Sequence, residues 1–172
     1  MAKVSPSEFE NIKLLALESN PMMLYGDGIS TMNFFKGDGE KAAEFMKRRL
    51  AEVGEINPWI GSSLVKDPVK YGKLIAMRCR KDFPTDEVFE LNTSLSIHET
   101  MPFADICKEV ATSSAHVPSG YTLIETGKPV CKLTIIAGDG TFVIIFSMSH
   151  VVADGFTYYA ILRNFIFFFF FN

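Results

Sequence analysis

Ser149-His150-Val151-Val152-Ala153-Asp154-Gly155 is the stretch from which the rest of this chain is read. Before it, Phe142, Ile144, Phe146 and Met148 alternate with Thr141, Val143, Ile145, Ser147 and Ser149, the two-residue period of an extended strand. Val130 to Ile136 supplies a partner strand, and Gly138-Asp139-Gly140 between them has the chemistry of a hairpin turn with positive φ. From Phe156 the period becomes helical, through Tyr159, Ala160 and Leu162. The stretch therefore lies where the second strand of a hairpin meets a helix. A strand carried to its tip would turn the His150 imidazole to the apolar side, in phase with Phe146 and Met148.

A histidine placed there suits a general base, because its unperturbed pKa near 6.5 leaves it mostly neutral at physiological pH. Asp154 would fix the ring or pin the loop, and Gly155 would permit a close backbone approach. With the chain's 3 histidines, 8 aspartates and 12 glycines, His-x-x-x-Asp-Gly is expected by chance about 0.01 times. Two other readings compete. A core histidine with a helix-capping Asp154 explains the same residues equally well. A metal pair fails, because Gly155 and the strand before it oppose a helix over 150–154 and no third ligand is near.

Near the N-terminus, Ser5-Pro6-Ser7-Glu8 has the pattern of a helix start, and Phe9, Ile12, Leu15 and Ala16 then share a helical face ended by Asn20-Pro21. Ile29 to Phe35 reads as a strand between Gly26-Asp27-Gly28 and Gly37-Asp38-Gly39, both taken as turns. Glu40 to Val53 is a helix with Ala42, Met46, Leu50 and Val53 on its apolar stripe, closed by Gly54. An extended stretch runs from Asn57-Pro58-Trp59-Ile60 to Val65, and Leu74 to Arg80 is a strand. Pro102 to Ala111 is a short helix with Phe103, Ile106, Cys107 and Val110 facing inward.

Composition bounds the function. The chain has 172 residues, 48% of them hydrophobic, enough to bury the core of one domain or of one lobe of a larger enzyme. A net charge of −3 opposes nucleic-acid binding. Cys79, Cys107 and Cys131 form neither a zinc pattern nor a disulfide framework, and are expected to be buried or half-buried thiols. With no apolar signal core after Met1, a cytoplasmic location is expected. Six of the 16 phenylalanines fall within Phe165–Asn172, far short of the ~20 residues of a membrane span. That run reads as a homopolymeric codon tract, a truncation or translation artefact at 165–172 following a lobe at 1–164.

The segment Ile145 to Phe156 resembles the HxxxDG signature of the CoA-dependent acyltransferase superfamily. That group includes chloramphenicol acetyltransferase, the BAHD acyltransferases, wax ester synthases and condensation domains of peptide synthetases. The order helix, strand, helix and Asn57-Pro58-Trp59-Ile60 is similar to the opening of BAHD and condensation lobes. The resemblance implies an α/β (α+β) chloramphenicol-acetyltransferase-like N-terminal lobe, a mixed β-sheet with flanking helices. It implies transfer of an acyl group from a CoA or carrier-protein thioester, used as co-substrate with no bound cofactor and no metal, to a small-molecule hydroxyl or amine. His150 would be the base, Asp154 a loop organiser paired with an arginine, and Gly155 would leave room in the substrate channel. Ser149 stands where condensation domains often carry a second histidine. No DFGWG segment occurs, so a second lobe in a longer gene product, or a homotrimer, is expected to complete the channel. The alternative is a non-catalytic or truncated copy of the fold, acting as a binding module or inactive alone.

Overall fold

The computed structural model describes residues 9–67 and 75–166, and these form two antiparallel-based sheets wrapped by helices. In chain order they are β1 (Phe9–Lys13), α1 (Pro21–Tyr25), β2 (Ile29–Lys36), α2 (Gly39–Ile56), a 3-10 turn (Pro58–Gly61), β3 (Ser63–Lys66) and β4 (Ile75–Arg80). There follow α3 (Thr85–Val88), β5 (Phe89–Asn92), α4 (Phe103–Ala111), α5 (Gly120–Leu123), β6 (Cys131–Ala137), β7 (Thr141–Met148) and α6 (Gly155–Ile166).

The central sheet has the order β2-β7-β6-β5; β5 runs parallel to β6 and the other pairs are antiparallel. The expected hairpin is present, with Ala137 opposite Phe142 and Cys131 opposite Met148. Gly140 takes φ 66°, and Gly138 N–H donates to Thr141 O at 2.8 Å across the turn. Both faces of β7 are buried beyond Thr141. Phe142, Ile144, Phe146 and Met148 pack with Met46 and Leu50 of α2 and with Tyr158 and Phe165 of α6. Val143 and Ile145 pack instead with Ile106 and Val110 of α4. A strand covered on both sides is why its two faces are equally apolar.

The second sheet, β1-β4-β3, joins the first through a short ladder. Val130 N–H donates to Ser62 O and Ser149 N–H donates to Val130 O, each at 2.8 Å. The end of β7, immediately before His150, is thereby fixed at the seam between the sheets.

Several expectations are corrected. Phe9 to Lys13 is not helical but an edge strand in register with β4, Phe9 opposite Arg80 and Ile12 opposite Met77. Pairing with β4 overrides a helical spacing whose residues Phe9 and Ile12 remain exposed. Ser5–Glu8, with the capping pattern, and Leu74 lie outside the described residues. Asn20 starts a helix rather than ending one: its side chain accepts from Met23 N–H at 3.0 Å, and Pro21 occupies the first turn. Gly54 lies inside α2, not at its end, because a Cβ there would meet the Phe83 ring at 2.4 Å. Pro58–Gly61 is a 3-10 turn rather than extended. On α4, Ile106 and Val110 are buried as expected, whereas Phe103 and Cys107 are exposed. Asp38 adds a function to its turn by capping α2, accepting from the Glu40 and Lys41 amides. At the end of the chain α6 continues to Ile166, and Phe165 is fully buried, edge-on to Phe146 at 5.3 Å between centroids. The other phenylalanines of that run, 167–171, lie outside the described residues.

Candidate active site

β7 ends at Met148, so His150 is not on the strand but in the turn that follows it. The turn is held from both sides. Val151 is fully buried with Leu64, Leu123 and Val130 beneath the three-stranded sheet, and Ala153 is buried in the main core. Val152 N–H donates to Ser149 O at 3.3 Å. Gly120 on α5 lies so close that a Cβ there would sit 2.2 Å from Val151 Cγ2. Gly28, just before β2, is likewise required, since a Cβ there would meet Val117 O at 2.2 Å and Met148 O at 3.0 Å. Packing thus fixes the backbone on either side of the half-buried imidazole.

The hydrogen bond of His150 sets its chemistry. Nδ1 lies 3.2 Å from Ala153 O. A carbonyl oxygen can only accept, so Nδ1 carries a proton. In the neutral ring Nε2 is then the bare nitrogen with a free lone pair. Nothing described bonds to it, and an imidazole so held can take a proton at Nε2.

Asp154 does not touch the ring through a hydrogen bond; it caps α6. Its Oδ1 accepts from Thr157 N–H at 2.8 Å, and its main-chain carbonyl accepts from Tyr158 N–H at 2.9 Å. The Thr157 amide holds the carboxyl below the usual carboxylate range. Its anchoring of the loop runs through the helix N-terminus. Among the described residues nothing lies within 4 Å of where a Gly155 Cβ would project, and Gly155 does not take positive φ. Ser149 is fully buried, and its hydroxyl bonds to no described residue.

Tyr158, one turn into α6, fastens the helix to the sheet. Its hydroxyl donates to Phe146 O at 2.6 Å, and, having one proton, accepts from Thr31 Oγ1 at 2.9 Å. Burial pushes this phenol far up.

A second histidine went unread in the sequence. His116 Nδ1 lies 3.2 Å from Ser30 Oγ, which lies 2.8 Å from Ser147 Oγ, which accepts from Val117 N–H at 2.8 Å. The signal available was Ser147, a hydroxyl next in phase after the apolar Val143 and Ile145. His116 lines two cavities, one beside Pro118 and Lys132 and one beside Met32 and Phe103.

No protein-family model and no curated protein sequence matches the chain. Solved structures do. F. graminearum TRI101 complexed with coenzyme A and T-2 mycotoxin is similar at a TM-score of 0.62 and 14% identity over 91% of this chain. F. sporotrichioides TRI101 complexed with coenzyme A and T-2 gives a TM-score of 0.66 and 12% identity over 91%. A structure of condensation-domain-mediated chain release from the enacyloxin polyketide synthase gives 0.51 and 12% over 95%. The fold is that of the CoA-dependent acyltransferases. The chain spans 38% of each TRI101 structure and 31% of the condensation-domain structure. No helix among the described residues is long and apolar enough to cross a membrane.

Proposed function

We propose that this lobe supplies the base of an acyl transfer from a CoA or carrier-protein thioester to a small-molecule hydroxyl or amine. The supporting observation is the Nδ1–H···O=C bond from His150 to Ala153, which leaves Nε2 as the basic nitrogen. Nε2 takes the proton of the acceptor, whose oxygen or nitrogen attacks the thioester carbonyl. Collapse of the tetrahedral intermediate expels the thiolate, which receives the proton back from His150. Asp154 and Tyr158 hold the loop through α6 and are positioning residues. A base of this kind accounts for ~10²–10⁴-fold in rate; positioning and stabilisation of the oxyanion supply the rest. A further segment or a second subunit completes the channel.

The test is thiol release from an acyl-CoA in the presence of alcohol or amine acceptors. His150→Ala is expected to lower acceptor-dependent release by ~10²-fold or more, with the folded state intact by circular dichroism. Unchanged turnover would remove the role of His150. The rival reading, a binding module without turnover, is favoured by the cavity that His116 lines, and predicts ligand binding with no acceptor-dependent release.

A further inference from the structure

The geometry points to a second small-molecule site, centred on His116 and independent of the proposed role of His150, that takes an uncharged, largely apolar molecule bearing a carbonyl oxygen. The site is a cavity of about 660 Å³ between β2, α4 and α6. Met32 and Phe34 of β2, Phe103 and Val110 of α4, and Leu162 of α6 give it apolar walls; Ser30 and His116 line the same space. This volume falls within the ~300–1,000 Å³ usual for ligand pockets. Among the described residues no Asp, Glu, Lys or Arg lines it.

The polar chemistry follows from counting protons. Ser147 is fully buried and already accepts from Val117 N–H. Its single proton has one available acceptor among the described residues, Ser30 Oγ at 2.8 Å. The opposite direction would leave a buried hydroxyl proton unpaired, a cost of about 1–3 kcal/mol. Ser147 therefore donates to Ser30; the Ser30 proton in turn has one acceptor among the described residues, His116 Nδ1, and donates to it. With Nδ1 accepting, the neutral ring carries its proton on Nε2, the reverse of His150. Nε2–H bonds to no described residue, so it is a donor open to a ligand. A neutral donor in a cavity without charged walls matches a ketone, ester or lactone carbonyl. A carboxylate would enter without a counter-charge and bear the desolvation penalty of an ion.

Apolar surface left uncovered on α4 supports the same occupant. Ile106 and Val110 pack inward, yet Phe103 on the same helix is 74% exposed, and Cys107 lines the cavity.

The experiment titrates δ-decalactone, with decanoate as the charged comparison, into protein carrying labelled histidine, following the ring signals by NMR. Saturable lactone binding that shifts the His116 signals is expected, with decanoate roughly tenfold weaker or worse. His116→Phe is expected to weaken the lactone roughly tenfold. Cys107 is exposed while Cys79 and Cys131 are buried, so a bulky maleimide on Cys107 of the otherwise native chain should block binding without a substitution. No saturable binding, binding indifferent to both His116→Phe and Cys107 modification, or decanoate binding as tightly as the lactone would each overturn the assignment. A His150→Ala protein that has lost acyl transfer should still bind the lactone, which keeps the two proposals separable.

Discussion

Replacing Tyr158 with Phe isolates the bond that docks α6 beside the His150 turn. The Tyr158 side chain is fully buried, and the ring of Phe fills the same volume, so contact with Phe146, at 5.1 Å between centroids, is retained and no cavity opens. What disappears is one hydroxyl that donates to Phe146 O and accepts from Thr31 Oγ1. Losing such a bond costs about 0.5–1.5 kcal/mol, and a buried group left unsatisfied about 1–3 kcal/mol, so a total near 2 kcal/mol is expected. At roughly 2–4 °C per kcal/mol for a chain of this size, Tm should fall by about 4–8 °C. Thr31→Val removes a half-buried donor only, leaves the bond to Phe146, and should cost about 1 kcal/mol. The double variant should be less destabilised than the sum of the two by about 1 kcal/mol, because the shared bond is lost once. Urea unfolding with an unchanged m-value measures all three. A Tyr158→Phe protein within about 0.5 kcal/mol of wild type, or strict additivity, would refute this account of the docking.

Further outcomes follow from other contacts. Gly120→Ala should destabilise the chain by driving a Cβ into Val151 Cγ2, and Val151→Ala should partly restore it in urea unfolding; equal stability of Gly120→Ala and wild type would count against the packing described. Native protein should react with thiol reagents at Cys107 only, and at all three cysteines after denaturation, since burial raises the pKa of the Cys79 and Cys131 thiols. Asp154 has a lowered folded pKa, so its stabilisation is present above the ordinary carboxylate value near 3.9 and disappears as pH falls through the folded value. Asp154→Asn keeps an acceptor for Thr157 N–H and should therefore show a shallower loss of stability below about pH 4 than wild type, read from unfolding midpoints across pH.

The elements around the motif were legible because their signals are local. The alternation of Thr141–Ser149, the Gly138-Asp139-Gly140 turn and the stripe Ala42–Met46–Leu50 each fix a structure within a few residues. Asp154 was legible as either a loop organiser or a helix cap, and its bond to Thr157 makes it the cap. Other features depend on partners distant in sequence. β1 exists because β4 lies beside it, and Gly54 belongs inside α2 because Phe83 presses on it. The half-exposed face of α4 depends on how far β2 and α6 extend over it. The chain from His116 through Ser30 to Ser147 needs the register that places Ser30 opposite Ser147 across 117 positions. No periodicity in the sequence reports that register.

The role of His150 as a base depends on which of its ring nitrogens carries the proton. Long-range proton–nitrogen correlation spectra of histidine-labelled protein, recorded at alkaline pH, resolve this for each ring. A protonated Nδ1 and a bare Nε2 are expected for His150, as its bond to Ala153 O requires. A His150 ring with its proton on Nε2 would contradict the account, because the nitrogen free to meet a substrate would then be a donor and not a base.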